Sequence, residues 1–152
     1  MKQLKLSLIL FLLLAALLTG CSGNDTSYFS ALNINWDLSF PEKGGFIEIY
    51  AKDSGASFLG DGIRYHAFSC SDSGQVENLL PWLPQPTTQA TNFYPTLQEA
   101  ADAWLNELQI PKEERPTPES CQICYAARPD RSELLVFWDS KLQRIYIVEN
   151  FL

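Results

Sequence analysis

The run Leu134–Trp138 (LLVFW) is apolar at every position, and it constrains the fold more than any other stretch of the chain. Successive side chains of a strand point to opposite faces, so a strand with no polar position needs cover on both sides. Two further apolar runs flank it, Ile123–Ala127 before and Ile145–Val148 after. They are separated from it by Pro129–Asp130–Arg131–Ser132 and Asp139–Ser140–Lys141, both built of turn formers. This spacing predicts an antiparallel meander of three strands. Upstream, Phe46–Lys52 (FIEIYAK) and Ile63–Cys70 (IRYHAFSC) are aromatic and β-branched and are joined by a Gly-rich stretch, which predicts a hairpin. Leu32, Ile34, Trp36, Leu38 and Phe40 alternate with Asn33, Asn35, Asp37 and Ser39. A period of two predicts one more half-buried strand there, ended by Pro41, Gly44 and Gly45.

One segment has a helical period. Thr96 followed by Glu99 forms a capping box, in which the hydroxyl caps the Glu99 amide and the carboxylate returns to the Thr96 amide. From there Leu97, Ala100, Ala101, Trp104, Leu105 and Leu108 make one apolar stripe, with Gln98, Asp102, Asn106 and Glu107 on the other side. Pro111 ends the helix by Gln109 or Ile110, and Trp104 is placed to cover one face of the central strand. Between Ser71 and Gln89 the composition shifts to Ser, Pro and Thr around Leu79, Leu80, Trp82 and Leu83. Pro81 and Pro84 forbid a long helix, so this reads as a covering loop with one short helical turn. Residues 111–120 are a polar connector in which Glu113 and Glu114 need no role beyond solvation. The expected fold class is α+β: an antiparallel sheet of about five to six strands with one main amphipathic helix packed on one face, in a single globular domain over residues 31–152.

The first 20 residues are unlike the rest. Lys2 and Lys5 precede Leu6–Leu18, a stretch of 13 residues interrupted only by Ser7. As a helix it reaches ~20 Å, short of the ~30 Å of a hydrocarbon core, so it reads as a signal peptide that is removed. Leu18, Thr19, Gly20 and Cys21 follow it, and this quartet resembles the lipobox of bacterial lipoproteins. The resemblance implies a thioether-linked diacylglyceryl group on Cys21, whose two acyl chains give a stable anchor where one chain binds only reversibly. Residues 21–30 would then hold the lipidated Cys and a flexible tether, small and polar from Ser22 to Ser27. The expected location is extracytoplasmic, anchored to the outer face of the cell membrane.

Charge narrows the partners. The 152 residues carry 11 Lys plus Arg and 18 Asp plus Glu. Without the leader, which holds two lysines and no acid, 9 basic side chains face 18 acidic ones, a formal charge of −9. With no clustered basic face, nucleic acid is excluded as a partner, and so is a polybasic membrane contact. The partners expected are the membrane, through the lipid, and a protein or envelope ligand with a basic surface.

Asp53–Tyr65 (DSGASFLGDGIRY) resembles a hairpin segment of uncharacterised small lipoproteins and secreted proteins of Gram-positive bacteria. There it runs Asp, any residue, His, Gly, Gly, Phe, His, Gly, Asp, Gly and, two residues later, an aromatic. Those proteins also share a cluster like Trp82–Leu83–Pro84 and an ending like LLVFWDSKLQRIYIVEN, so the resemblance covers most of residues 46–150. Its sharpest part is Phe58 with Gly60–Asp61–Gly62. Gly55 and Leu59 stand where the family has histidine, so no role of those histidines carries over. The resemblance implies fold and location, and no activity.

Three sets of side chains are candidates for a site. Asp61 with Arg64 and His66 could form a polar ligand-binding corner, since Arg64 and His66 share one face of an alternating strand with Ile63, Tyr65 and Ala67 opposite. The alternative is ordinary turn chemistry at Gly60–Asp61–Gly62. Cys70, Cys121 and Cys124 remain once Cys21 is lipidated, and a disulfide from Cys70 to one of the other two would join the hairpin to the meander. The other reading is a zinc set of His66, Cys70, Cys121 and Cys124, with one His-x3-Cys and one Cys-x2-Cys spacing. Papain-like catalysis by Cys70 and His66 is set aside, because four residues along a strand separate them by ~13 Å. No phosphate-cradling Gly loop leading into a helix, His-Glu-x-x-His or Gly-x-Ser-x-Gly occurs, and no catalytic residue or cofactor is called for. The reading favoured is a lipid-anchored binding or interaction module. A small hydrolase or zinc-dependent enzyme centred on Asp61, His66 and the cysteines is the first alternative, and a structural envelope protein the second.

Overall fold

The computed structural model describes residues 26–41, 44–55, 60–83 and 93–152. The order of elements is α1 (Thr26–Trp36), β1 (Phe46–Asp53), β2 (Gly62–Cys70), α2 (Ser73–Glu77), α3 (Phe93–Glu107), β3 (Gln122–Ala127), β4 (Glu133–Asp139) and β5 (Arg144–Phe151), with short 3-10 turns at Lys112–Glu114 and Pro118–Ser120. The fold is mixed α+β, and the five strands among the described residues form one antiparallel sheet in the order β1-β2-β5-β4-β3. The hairpin and the meander are joined where β2 pairs with β5, from Gly62 opposite Phe151 to Ser69 opposite Arg144.

The sheet is covered on both faces, as the LLVFW run requires. Leu134 through Trp138 are all 0 % exposed. Leu134, Val136 and Trp138 join Ile145, Ile147 and Phe68 in one apolar cluster, to which α1 adds Phe29, Leu32 and Trp36. Leu135 and Phe137 join Tyr146, Val148, Tyr65 and Ala67 in a second, to which α3 adds Leu97, Ala101 and Leu105 and the turn after it adds Leu108. The alternation along β2, β4 and β5 therefore divides the core between two helices, one per face, where one helix on one face was expected. Trp104 packs against the second cluster, while Leu79, Leu80 and Trp82 of the covering segment pack with the first and Leu83 with the second.

The strand expected over Leu32–Phe40 is instead the second half of α1 and its exit. Periods of 2 and 3.6 both place Leu32 and Trp36 together, and the two readings part at Phe29 and Ile34. Phe29 is 2 % exposed and Ile34 is 81 % exposed, which is the helical outcome. Asp37, at φ 53°, turns the chain out of the helix. The Asn33 amide then takes both backbone groups of Phe40, donating from Nδ2 to the carbonyl and accepting the N–H at Oδ1, each at 2.8 Å. Residues 26–30, assigned above to the tether, likewise belong to α1; residues 21–25 lie outside those described.

The capping box at Thr96–Glu99 does not open α3, which starts at Phe93 and takes Pro95 into its first turn, where a missing N–H leaves no bond unmade. Thr96 is inside the helix. At the other end Gln109, at φ 54°, turns the chain, and the Arg115 guanidinium donates to the Ile110 carbonyl at 2.7 and 2.9 Å, to the Leu105 carbonyl and to Asn106 Oδ1. The polar connector is thus tied back to the helix it follows. Among the described residues no helix is long and apolar enough to cross a membrane.

Candidate functional site

The polar side chains of the sheet converge where β1 and β2 meet α1. Asp53 pairs with Arg64 and Arg64 with Glu149, while Ala51 pairs with His66 and His66 with Ile147, so Arg64, His66 and Glu149 share the face that α1 covers. Ile63, Tyr65 and Ala67 are buried on the other face, as the alternation predicts. A bulge between Glu48 and Tyr50 shifts the register of β1, leaving Glu48 opposite Phe68 on the α1 side. From there Glu48 Oε1 lies 2.5 Å from His66 Nδ1. The Tyr28 ring stacks on the imidazole with centroids 3.8 Å apart.

Beneath this surface sits a buried acid. Glu149 is 1 % exposed and accepts hydrogen bonds from the Trp36 indole at 2.7 Å and the Tyr28 hydroxyl at 3.1 Å. Burial, and then the neighbouring carboxylate, push the Tyr28 hydroxyl well above its ordinary range, so it stays a neutral donor. Arg64 lies over the Phe151 ring at 4.8 Å and Arg128 over the Trp36 ring at 5.8 Å, which places two cations at the rim of the same patch. Tyr28, Glu48 and Glu149 were not singled out from the sequence, and Trp36 only as an apolar position of the expected strand. Glu149 carried a usable signal: it continues the inward series Ile145, Ile147 as the only acid at a core-facing position of that strand.

Asp61 and Arg64 line one small recess in the hairpin, together with Asp53, Ser54, Gly55, Gly60, Gly62 and Ile63. Its volume is about 40 Å³, room for a few waters at the ~10–15 Å³ that each needs and far below the ~300 Å³ of the smallest ordinary ligand pockets. His66 stands on the adjoining open groove with Ala51, Lys52 and Asp53. The predicted corner is therefore divided, with Asp61 in the turn and His66 held between Glu48 and Tyr28. Turn chemistry orders the recess: Asp53 Oδ1 accepts the Gly55 N–H, and Ser54 Oγ accepts the Ile63 N–H, both at 2.9 Å. Gly62, at φ 143°, leaves no room for a Cβ, which would stand 2.7 Å from Ser54 Oγ. Gly62→Ala should cost about 1–3 kcal/mol in urea unfolding, and an unchanged midpoint would contradict this geometry. Phe58 and Leu59 of the resemblance lie outside the described residues.

The cysteines do not pair. Cys70, Cys121 and Cys124 are free and buried. Cys70 ends β2 and Cys124 lies in β3, with β5 and β4 between; three interstrand steps separate those strands by ~14 Å, twice the ~7 Å reach of a disulfide. Cys121 and Cys124 belong to clusters on opposite faces. The expected bridge from Cys70 is thus not formed, to Cys124 because of strand order and to Cys121 because that residue, just before β3, lies in the cluster on the other face. The zinc set fails for the same reason: among the described residues no group of three or more His, Cys, Asp or Glu is arranged to hold a metal. Burial pushes the Cys121 and Cys124 thiols up to about 11 and raises Cys70 as well, which makes them neutral and poor nucleophiles.

Compared with protein-family models, curated proteins and solved structures, the chain matches none.

Proposed function

We propose that the protein is a lipid-anchored extracytoplasmic binding module, held at the outer face of the cell membrane by a diacylglyceryl group on Cys21 and presenting the β1–β2 corner to a partner. The observation that carries the anchor is the quartet Leu18–Thr19–Gly20–Cys21 at the end of a 13-residue apolar stretch. The likeness of Asp53–Tyr65 to small lipoproteins of Gram-positive bacteria supports the same location. On this reading residues 1–20 are removed, and α1, which begins five residues after Cys21, lies within ~18 Å of chain from the lipid.

Binding is favoured over catalysis by the state of the corner. Glu48, Arg64 and His66 are partly exposed, and the stacked Tyr28 ring fixes the imidazole, so polar groups are held ready for a partner without side-chain ordering on binding. A hydrolase or zinc enzyme would draw on Asp61, His66 and the cysteines together, but His66 and Cys70 lie four residues apart along β2, Cys121 and Cys124 lie at β3 beyond two intervening strands, and the thiols are neutral. A purely structural envelope role makes no use of the corner. Cys21→Ala should release the protein from washed membranes into the extracytoplasmic soluble fraction; full retention in the membrane pellet would sink the anchor assignment.

A further inference from the structure

If the protein is a binding module, the two edges of its sheet point to the chemistry of its partner. A five-stranded sheet has two edges, and this chain treats them differently. At the β3 edge the Leu83 N–H donates to the Ile123 carbonyl at 2.7 Å, so the covering segment pairs with that strand itself. At the other edge β1 pairs, among the described residues, with β2 alone. Its side chains are exposed at Ile47, Glu48, Ile49, Ala51, Lys52 and Asp53, with Ile47 at 67 % and Ile49 at 40 %. Edge strands are usually blunted by charge, proline or a bulge. Here β1 carries both a bulge and charges, two acids (Glu48 and Asp53) against one Lys52, but the bulge interrupts only the Glu48–Tyr50 step, and Tyr50–Asp53 keeps a regular register against Ala67–Arg64. Beside that regular stretch runs the open groove lined by Ala51, Lys52, Asp53 and His66.

We infer that β1 receives an extended segment of a partner protein by strand addition, the segment alternating apolar and basic residues. Its main chain pairs with Tyr50–Asp53, its apolar side chains lie on Ile47 and Ile49, and its basic ones meet Glu48 and Asp53. Main-chain pairing supplies affinity in such complexes and alternate side chains supply selectivity. The charge is complementary, because the body without its leader carries −9. The same charge opposes a second copy of this chain at the edge, where two acidic bodies and two bulges would meet.

The test uses the full chain in non-ionic detergent and a fluorescein-labelled, N-acetylated octapeptide of alternating Lys and Val, read by fluorescence anisotropy. Binding is expected, weakened at least tenfold when alternate peptide nitrogens are methylated, when Val-Glu replaces Val-Lys, and in Glu48→Lys, while Glu113→Lys on the remote connector binds as the parent does. Equal affinity for the methylated peptide would overturn strand addition while leaving a binding role for the corner. No binding of the Lys-Val peptide at millimolar concentration, or equal losses in Glu48→Lys and Glu113→Lys, would also overturn the inference. So would a dimer in sedimentation equilibrium that Ile47→Lys dissolves, since a second copy would then occupy the edge.

Discussion

Trp36→Ala is expected to destabilise the protein by about 3–5 kcal/mol in urea unfolding, while Ile34→Lys, two residues earlier, should change stability by less than about 0.5 kcal/mol. The difference follows from α1. Trp36 is buried in the cluster with Phe29, Leu32 and Trp138, and its indole N–H donates to Glu149. Removing it leaves a cavity and takes one of two donors from a carboxylate that is almost fully buried. Trp36→Phe separates the two effects, since it keeps most of the apolar volume and loses only the donor, for about 1.5–3 kcal/mol. Ile34 projects into solvent, so a lysine there has nothing to disturb. Were residues 32–40 a strand, Ile34 and Trp36 would share a face and both changes would be costly. Comparable losses at the two positions would therefore contradict α1.

The second large effect is chemical. Besides Cys21, no thiol should react with iodoacetamide in the native protein at pH 8, and three should react after denaturation without reductant. A bridge from Cys70 would leave one. The same thiols make the fold sensitive to alkali. Cys121 and Cys124 have folded values of about 11 against about 9 when exposed, so their contribution is complete below pH 9 and is lost as the pH rises to about 11. Between those limits the unfolded chain releases a proton that the native one retains, and stability falls by about 1.4 kcal/mol per pH unit for each such thiol. Tyr65, raised by burial and with its hydroxyl bonded to the Glu114 carbonyl, acts in the same direction at higher pH. Urea midpoints unchanged between pH 8.5 and 10.5 would show that these thiols are not buried as described.

The strands were the legible part of the fold, because each is short, bounded by turn formers and either alternating or apolar throughout. Leu134–Trp138 alone implied cover on both faces. What supplies the second layer was hidden, since Asn33 and Asn35 give the α1 segment a polar alternation that imitates a strand, and only Phe29, upstream of that window, reveals the helical period. The start of α3 was misplaced by a similar coincidence: Thr96 and Glu99 have capping-box spacing, but Phe93 and Tyr94 carry the helix back past Pro95, which the first turn tolerates. The cysteine reading failed for want of strand order. Placing β5 and β4 between β2 and β3 depends on the long-range pairing of Gly62–Ser69 with Arg144–Phe151, which no local signal encodes. At the site, Arg64 and His66 were found on one face as expected. Their partners Tyr28, Glu48 and Glu149 come from three separate segments, and only Glu149 marked itself, as an acid at an inward position.

The most direct test is the intact mass of the protein extracted from the membranes of a bacterial host that makes it from the full-length sequence. The account predicts a chain that begins at Cys21 and carries the added mass of a diacylglyceryl group. A chain of unmodified mass, or one cut at another small residue and recovered outside the membrane, would contradict the anchor and with it the placing of the binding corner at the cell surface.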